Sequence, residues 1–182
     1  MGTMTSRRSA LLVIDLQNGV MPGCHDGDGV LTRVRELVDR AHDEQVSVVW
    51  VQDRGLGEGS ADWELAGGLA VGKGEPVIHK DYRDSFAGTE LAAVLEAGGI
   101  GRIVIAGAQS DYCVRTTAQA AAARGYDVTL VSDAHTTTDS EWEGVMISGK
   151  QIIAHTNRYF AGLRYPGQEF GVASAAEVTL RA

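Results

Sequence analysis

The chain has little of what a secreted, membrane-spanning or nucleic-acid-binding protein requires. Two cysteines, Cys24 and Cys113, are all that 182 residues contain. They cannot build a disulfide framework, so a reducing cytoplasm is the expected setting. Basic residues are outnumbered: 16 Lys and Arg against 24 Asp and Glu leave a formal charge of −8. A nucleic-acid surface needs a concentrated basic face, and no such cluster of Lys and Arg occurs. No apolar run approaches the roughly 20 residues of a membrane span. Neither a nucleic-acid nor a membrane partner is therefore expected. Internal repeats, low-complexity tracts and linkers are missing as well. What is left reads as one globular domain over residues 1–182, with residues 1–8 expected to be disordered. An apolar content of 44% and a charged content of 22% suit that reading. The length is enough to bury roughly 70% of the unfolded surface.

Two N-terminal patterns are set aside. Ser6-Arg7-Arg8 resembles a twin-arginine signal, but the apolar run from Ala10 to Ile14 is cut off by Asp15. A signal peptide needs about 7–15 uninterrupted apolar residues. Met1-Gly2 with Ser6 fits an acylation pattern short enough to arise by chance.

What is there is alternation. Leu11–Ile14, Val46–Val51, Pro76–His79, Arg102–Gly107 and Asp127–Val131 read as strands, several of them continuously apolar, as strands covered on both faces are. Val30, Val34, Leu37, Val38 and Ala41 recur at helical spacing. A helix is expected from Thr89 to Gly98, and another from near Cys113 to Gly125. The Gly-rich stretch 55–74 is too long for a mere connector and is expected to hold a short helical turn near Ser60–Trp63. Residues 140–160 read as helical, although Gly144 and Gly149 weaken that pattern, and Glu177–Leu180 reads as a final edge strand. The fold class is α/β with a mostly parallel sheet.

Three groups end successive strands: Asp15, Lys80 and, after the fourth strand, Cys113. Ligands bind at that edge of open α/β sheets. Cys113 is expected in the first turn of a helix, where free N–H groups and a partial positive charge would ease loss of the thiol proton. The Ala108–Tyr112 segment that delivers it offers backbone N–H groups to an oxyanion. Asp15 can take the proton, Lys80 can stabilise the ion pair, and Cys113 can attack a carbonyl. Singly each has a plain reading: a buried small side chain, a turn residue, a solvated charge. Their joint placement argues for chemistry.

The blocks Asp15-Leu16-Gln17-Asn18, Lys80 with Asp84-Ser85-Phe86 and Thr89-Glu90-Leu91, Gly107 through Thr117, and Gly125-Tyr126-Asp127-Val128 with Asp133-Ala134-His135 resemble the isochorismatase-like (cysteine hydrolase) superfamily. The resemblance covers most of the chain. It implies a three-layer Rossmann-like fold with a six-stranded, mostly parallel sheet flanked by helices, and a catalytic triad of Asp15, Lys80 and Cys113. It further implies a cis peptide between Ala108 and Gln109, with the N–H groups of Gln109 and Cys113 as the oxyanion hole. Trp63, Phe86 and Tyr112 fall where relatives wall the substrate, and Gln17 is expected to orient the site by hydrogen bonds. Nicotinamidases of the superfamily carry an Asp-x-His metal site after the second strand. Here that region reads Gln52-Asp53-Arg54-Gly55, with no histidine until His79. No metal or other cofactor is therefore expected, and Asp53 reads as a loop residue. Cys24, His135 and His155 are read as incidental or structural.

The function so implied is cysteine-dependent hydrolysis of a small amide or related C–N bond through a thioester. The alternatives are vinyl-ether hydrolysis that uses Asp15 without the thiol, and a non-enzymatic binding protein on the same fold. The resemblance also implies a small-molecule substrate and a homodimer or homotetramer. Only the apolar stretch Trp142–Ile147 supports self-association in the sequence itself.

Overall fold

Strict alternation within apolar strands gives this protein two cores, one on each side of a single sheet. The computed structural model describes residues 8–181. Its elements in chain order are β1 (Arg8–Ile14), α1 (Gly27–Asp43), β2 (Ser47–Asp53), β3 (Val77–Lys80), α2 (Leu91–Ala97), β4 (Ile100–Ala108), α3 (Arg115–Ala123), β5 (Asp127–Thr136), β6 (Ser140–Trp142), β7 (Val145–Ile147), α4 (Gly149–Ala161) and β8 (Phe170–Ala173). Six strands pair in the order β3-β2-β1-β4-β5-β8, all parallel. Leu11 and Val13 face a core shared with α1 and the C-terminal residues Ala175, Val178 and Leu180. Ala10, Leu12 and Ile14 face the opposite core, closed by α2, α3 and Phe160 of α4. These are the three layers of a Rossmann-like α/β domain. No helix among the described residues is long and apolar enough to cross a membrane.

The structure corrects several expectations. Of the residues expected to be disordered, Arg8 opens β1; the other seven, with the N-terminal patterns built on them, lie outside the described residues. The stretch 140–160 is not one helix. It begins as the β6–β7 hairpin, turned by Glu143 at φ 49° and Gly144 at φ 80°. Positive φ at both turn residues suits the right-handed twist of a two-residue hairpin. The hairpin is exposed from Glu141 to Ile147, with Trp142 77% accessible. Helix α4 starts only after Ser148, whose hydroxyl accepts from Gln151 N–H in a capping box. The final edge strand is β8, while residues 177–180 run from the end of a turn at 175–177 into irregular chain. Val178 and Leu180 alternate because they pack on α1, where Arg40 also donates to the Ala175 and Val178 carbonyls. A 3-10 turn at Arg54–Leu56 follows β2, and the expected turn is found at Ser60–Trp63, where Ser60 O accepts from Trp63 N–H at 3.1 Å and Glu64 N–H at 3.3 Å.

Gly107 lets β4 run against the end of β1. At φ 140°, a side chain there is strained, and a Cβ would fall on the backbone of Ile14. Gly107→Ala is expected to lower unfolding free energy by about 3 kcal/mol or more in urea titrations. An unchanged midpoint would contradict this account of the close approach.

Candidate active site

The site forms where β1, β2 and β3 end side by side. Asp53 closes β2 and stands in register with Lys80, which closes β3, so both side chains leave the same face of the sheet. Asp15 follows β1 at φ 49°, with its N–H bonded to Val51 O at 3.0 Å. The Lys80 ammonium lies 2.8 Å from Asp15 Oδ2, 2.9 Å from Asp53 Oδ2 and 3.4 Å from Cys113 Sγ. Lys80 has no accessible surface and Asp15 almost none. An ammonium so placed must be paired, because removing a charge from water costs several kcal/mol.

Cys113 arrives by a different local structure from the one expected. Residues Ser110–Val114 form a π-type turn, with Val114 N–H donating to Gln109 O at 3.2 Å, and α3 begins only at Arg115. Such turns recur at functional sites. The Ala108–Gln109 peptide bond is cis. Ser110 is tied from beneath: its hydroxyl meets His135 Nδ1 at 2.7 Å, and His135 Nε2 meets Asn157 Oδ1 at 2.9 Å. Asn157 Nδ2 donates to Ser132 O, so its carbonyl oxygen accepts from His135 Nε2–H and leaves Nδ1 to accept from Ser110. Thr137 likewise donates to Asp111 at 2.7 Å.

The electrostatics follow from burial. Burial raises the Asp15 carboxyl to about 6, against the pull of Lys80. Burial, and then the neighbouring Asp15 charge, push the Cys113 thiol up to about 12, with Lys80 acting in the opposite sense. The expectation of a thiol acidified by a helix end is therefore overturned. Cys113 lies in the π-type turn ahead of α3, and both burial and the Asp15 charge oppose its ionisation. Lys80 is held above its ordinary value: burial opposes the ammonium, but Asp15 and Cys113 more than offset it.

An oxygen from each of Asp15 and Asp53 and the Cys113 sulfur lie within 4.8 Å of one another, a donor set that could hold a cation. Lys80 Nζ lies in contact with all three and supplies that positive charge.

A cavity of about 570 Å³ opens over the triad, lined by Asp15, Asp53, Gln109, Tyr112 and Cys113 together with Val20, Leu56 and Arg83. Tyr112 is thus at the site. Phe86 is not: it is buried beneath α3, with its ring 5.9 Å from Tyr126 and the Arg124 guanidinium 4.6 Å from its centroid. Trp63 also misses the lining and packs edge-on to His79 at 5.3 Å. Gln17 is buried and supports the site from behind rather than touching the cavity. Its Oε1 accepts from Asp53 N–H at 2.8 Å and its Nε2 donates to Trp63 O at 2.9 Å. Cys24 donates to Val20 O and lies 4.0 Å from the Gln109 amide, while His155 is exposed on α4. Asp53 was read as a loop residue, yet it holds Lys80. The signal that singled out Asp15 and Lys80, a charged residue at the carboxyl end of a strand, applied to it equally. Arg83, on the loop after β3, was also missed.

The chain is similar to known proteins over most of its length. The isochorismatase domain family model matches residues 9–154. A streptothricin hydrolase from Streptomyces noursei is 37% identical over 139 residues, covering 71% of this chain and 50% of that protein. A maleamate amidohydrolase from Pseudomonas putida is 30% identical over 89 residues, covering 47% of this chain and 42% of that one. The chain spans about half the length of the streptothricin hydrolases it matches. Among solved structures, an isochorismatase hydrolase from Oleispira antarctica superposes with a TM-score of 0.84 at 26% identity, covering 97% of this chain and 98% of that one.

The buried His135 carries a testable consequence. Burial lowers its pKa from 6.5, so below that pH the unfolded chain takes a proton the native ring refuses. The contribution of His135 to stability is expected to fall as pH drops from about 6.5 towards 5, while the raised Asp15 contributes in the opposite sense. In His135→Gln this contribution to the slope should vanish. Denaturant titrations across that range, showing the same slope in both proteins, would reject the neutral-histidine assignment.

Proposed function

The chain belongs to the isochorismatase family, and from that premise we propose that this hydrolase cleaves a small amide or related C–N bond through Cys113. The observation that carries the proposal is the single ammonium, Lys80 Nζ, held 2.8 Å from a buried carboxylate and 3.4 Å from a thiol at the floor of one cavity. Such a group stabilises negative charge on whichever partner bears it, so the proton can pass from sulfur to Asp15 without leaving an unpaired buried anion.

Asp15 takes the thiol proton as Cys113 Sγ bonds to the substrate carbonyl carbon. The carbonyl oxygen becomes an oxyanion, held by the N–H groups of Gln109 and Cys113. The C–N bond then breaks as the protonated Asp15 gives its proton to the leaving nitrogen. A water next loses a proton to Asp15 and attacks the thioester. Collapse of that intermediate frees the acid and returns the proton to sulfur. The relatives support hydrolysis, and the amidohydrolase among them supports the C–N bond. One observation favours a second reading, vinyl-ether hydrolysis by Asp15 alone: a carboxyl raised to about 6 can also start protonated and act as an acid.

A hydrolysis screen over small carboxamides and ureido compounds (ammonia release), cyclic amides (ring opening) and a small vinyl ether distinguishes the two. Under the thioester mechanism, Cys113→Ala loses at least about a thousandfold in kcat/KM, and mass spectrometry of the native enzyme traps an acyl adduct on Cys113. Full amide turnover by Cys113→Ala would exclude the thioester mechanism, whereas no amide turnover together with vinyl-ether cleavage that survives in Cys113→Ala would leave the vinyl-ether reading. The kcat/KM profile is expected to fall below about pH 6, because protonated Asp15 no longer accepts the thiol proton. A flat profile down to pH 5 would remove Asp15 from the role of base.

A further inference from the structure

Building on the amide-hydrolase reading, we propose that Arg83 selects a substrate carrying a carboxylate on the side of the carbonyl away from the scissile bond. The substrate class is then short acid amides, such as half-amides of small dicarboxylic acids. Arg83 lines the cavity together with Cys113, Gln109 and Asp15. Its guanidinium sits over the Tyr112 ring, 4.1 Å from the centroid. Stacking holds the plane against an aromatic face through cation–π attraction and leaves the N–H edges free to donate.

The charge around it is arranged unusually. Arg83 is flanked on its loop by two carboxylates, and both are engaged elsewhere. Asp81 pairs with Arg54 at 2.9 Å. Asp84 accepts from Phe86 N–H at 2.9 Å and pairs with Arg124 at 3.8 Å. Among the described residues no carboxylate lies within ion-pair range of Arg83. The other cation of the cavity region, Lys80, is committed to Asp15 and Asp53. With both of those ionised and the thiol neutral, the triad region carries one net negative charge, which would repel an anionic substrate. Arg83 offsets that charge as a guanidinium on the cavity lining. A planar fork of N–H groups matches a carboxylate bidentately. Val20, Pro22 and Leu56 on the same lining are apolar and suit a short hydrocarbon linker.

The test compares succinamate and glutaramate with butanamide and pentanamide, the same amides without the carboxylate. The native enzyme is expected to show a KM about 10- to 100-fold lower for the acid amides, with similar kcat, and to lose that preference as salt is raised. Arg83→Gln should collapse the acid-to-neutral KM ratio to near one, and Arg83→Lys should restore part of it. Lys150→Gln, the same charge removed from exposed α4, should leave the ratio as in the native protein. Calorimetric binding of succinamate and butanamide to Cys113→Ala reads the same preference without turnover. Equal binding of the two, or an Arg83→Gln change that shifts both alike, overturns the assignment of Arg83. Absence of amide turnover together with Arg83-dependent binding of succinamate would sink the amide-hydrolase reading and leave the carboxylate site standing.

Discussion

The buried ammonium of Lys80 is the constraint on which the rest of this site depends. A charge with no accessible surface is tolerated only when opposite charges meet it at contact distance, and Asp15 and Asp53 both do. That requirement reaches back into the sheet. Asp53 and Lys80 share a face because β2 and β3 pair in register, and Asp15 reaches them because β1 lies beside β2. A slip of one residue would turn Lys80 to the opposite face, put His79 or Asp81 in its place and strand both carboxylates. The alternating apolar residues that fill two cores therefore also set the geometry of the ion pair.

The same burial governs the chemistry. Desolvation moves Asp15 upward into the range of a useful base, and it moves the Cys113 thiol upward as well, away from spontaneous ionisation. The two shifts have one cause and complementary results. A thiol that stays protonated is protected from adventitious oxidation. Beneath the thiol, Ser110, His135 and Asn157 anchor the turn that delivers it to β5 and α4. Cys113 thus rests on packed elements rather than on a free loop.

Much of the fold was legible because its signal is local. Continuous apolar runs named the central strands, helical periodicity named α1, and charged residues at strand ends named Asp15 and Lys80. The failures were equally physical. Residues 140–160 contain enough helix formers to read as one helix, and only the positive φ of Glu143 and Gly144 reveals a hairpin. Val178 and Leu180 alternate like a strand but do so while packing irregular chain on α1. Phe86 and Trp63 are aromatic and close in sequence to site residues, yet ring stacking with Tyr126 and His79 keeps them out of the cavity.

From the sequence alone came the α/β class, the two-faced strands, the resemblance to a hydrolase family and the triad, because residue spacing and strand-end position are written along the chain. Tertiary structure alone decided that Asp53 shares Lys80, that Gln17 holds Asp53, and that Asp81 and Asp84 pair with Arg54 and Arg124 while Arg83 meets no carboxylate among the described residues. It also reversed the expected acidity of Cys113. Those properties depend on solvent exclusion and on contacts between residues distant in the chain, and neither is encoded in any local stretch of sequence.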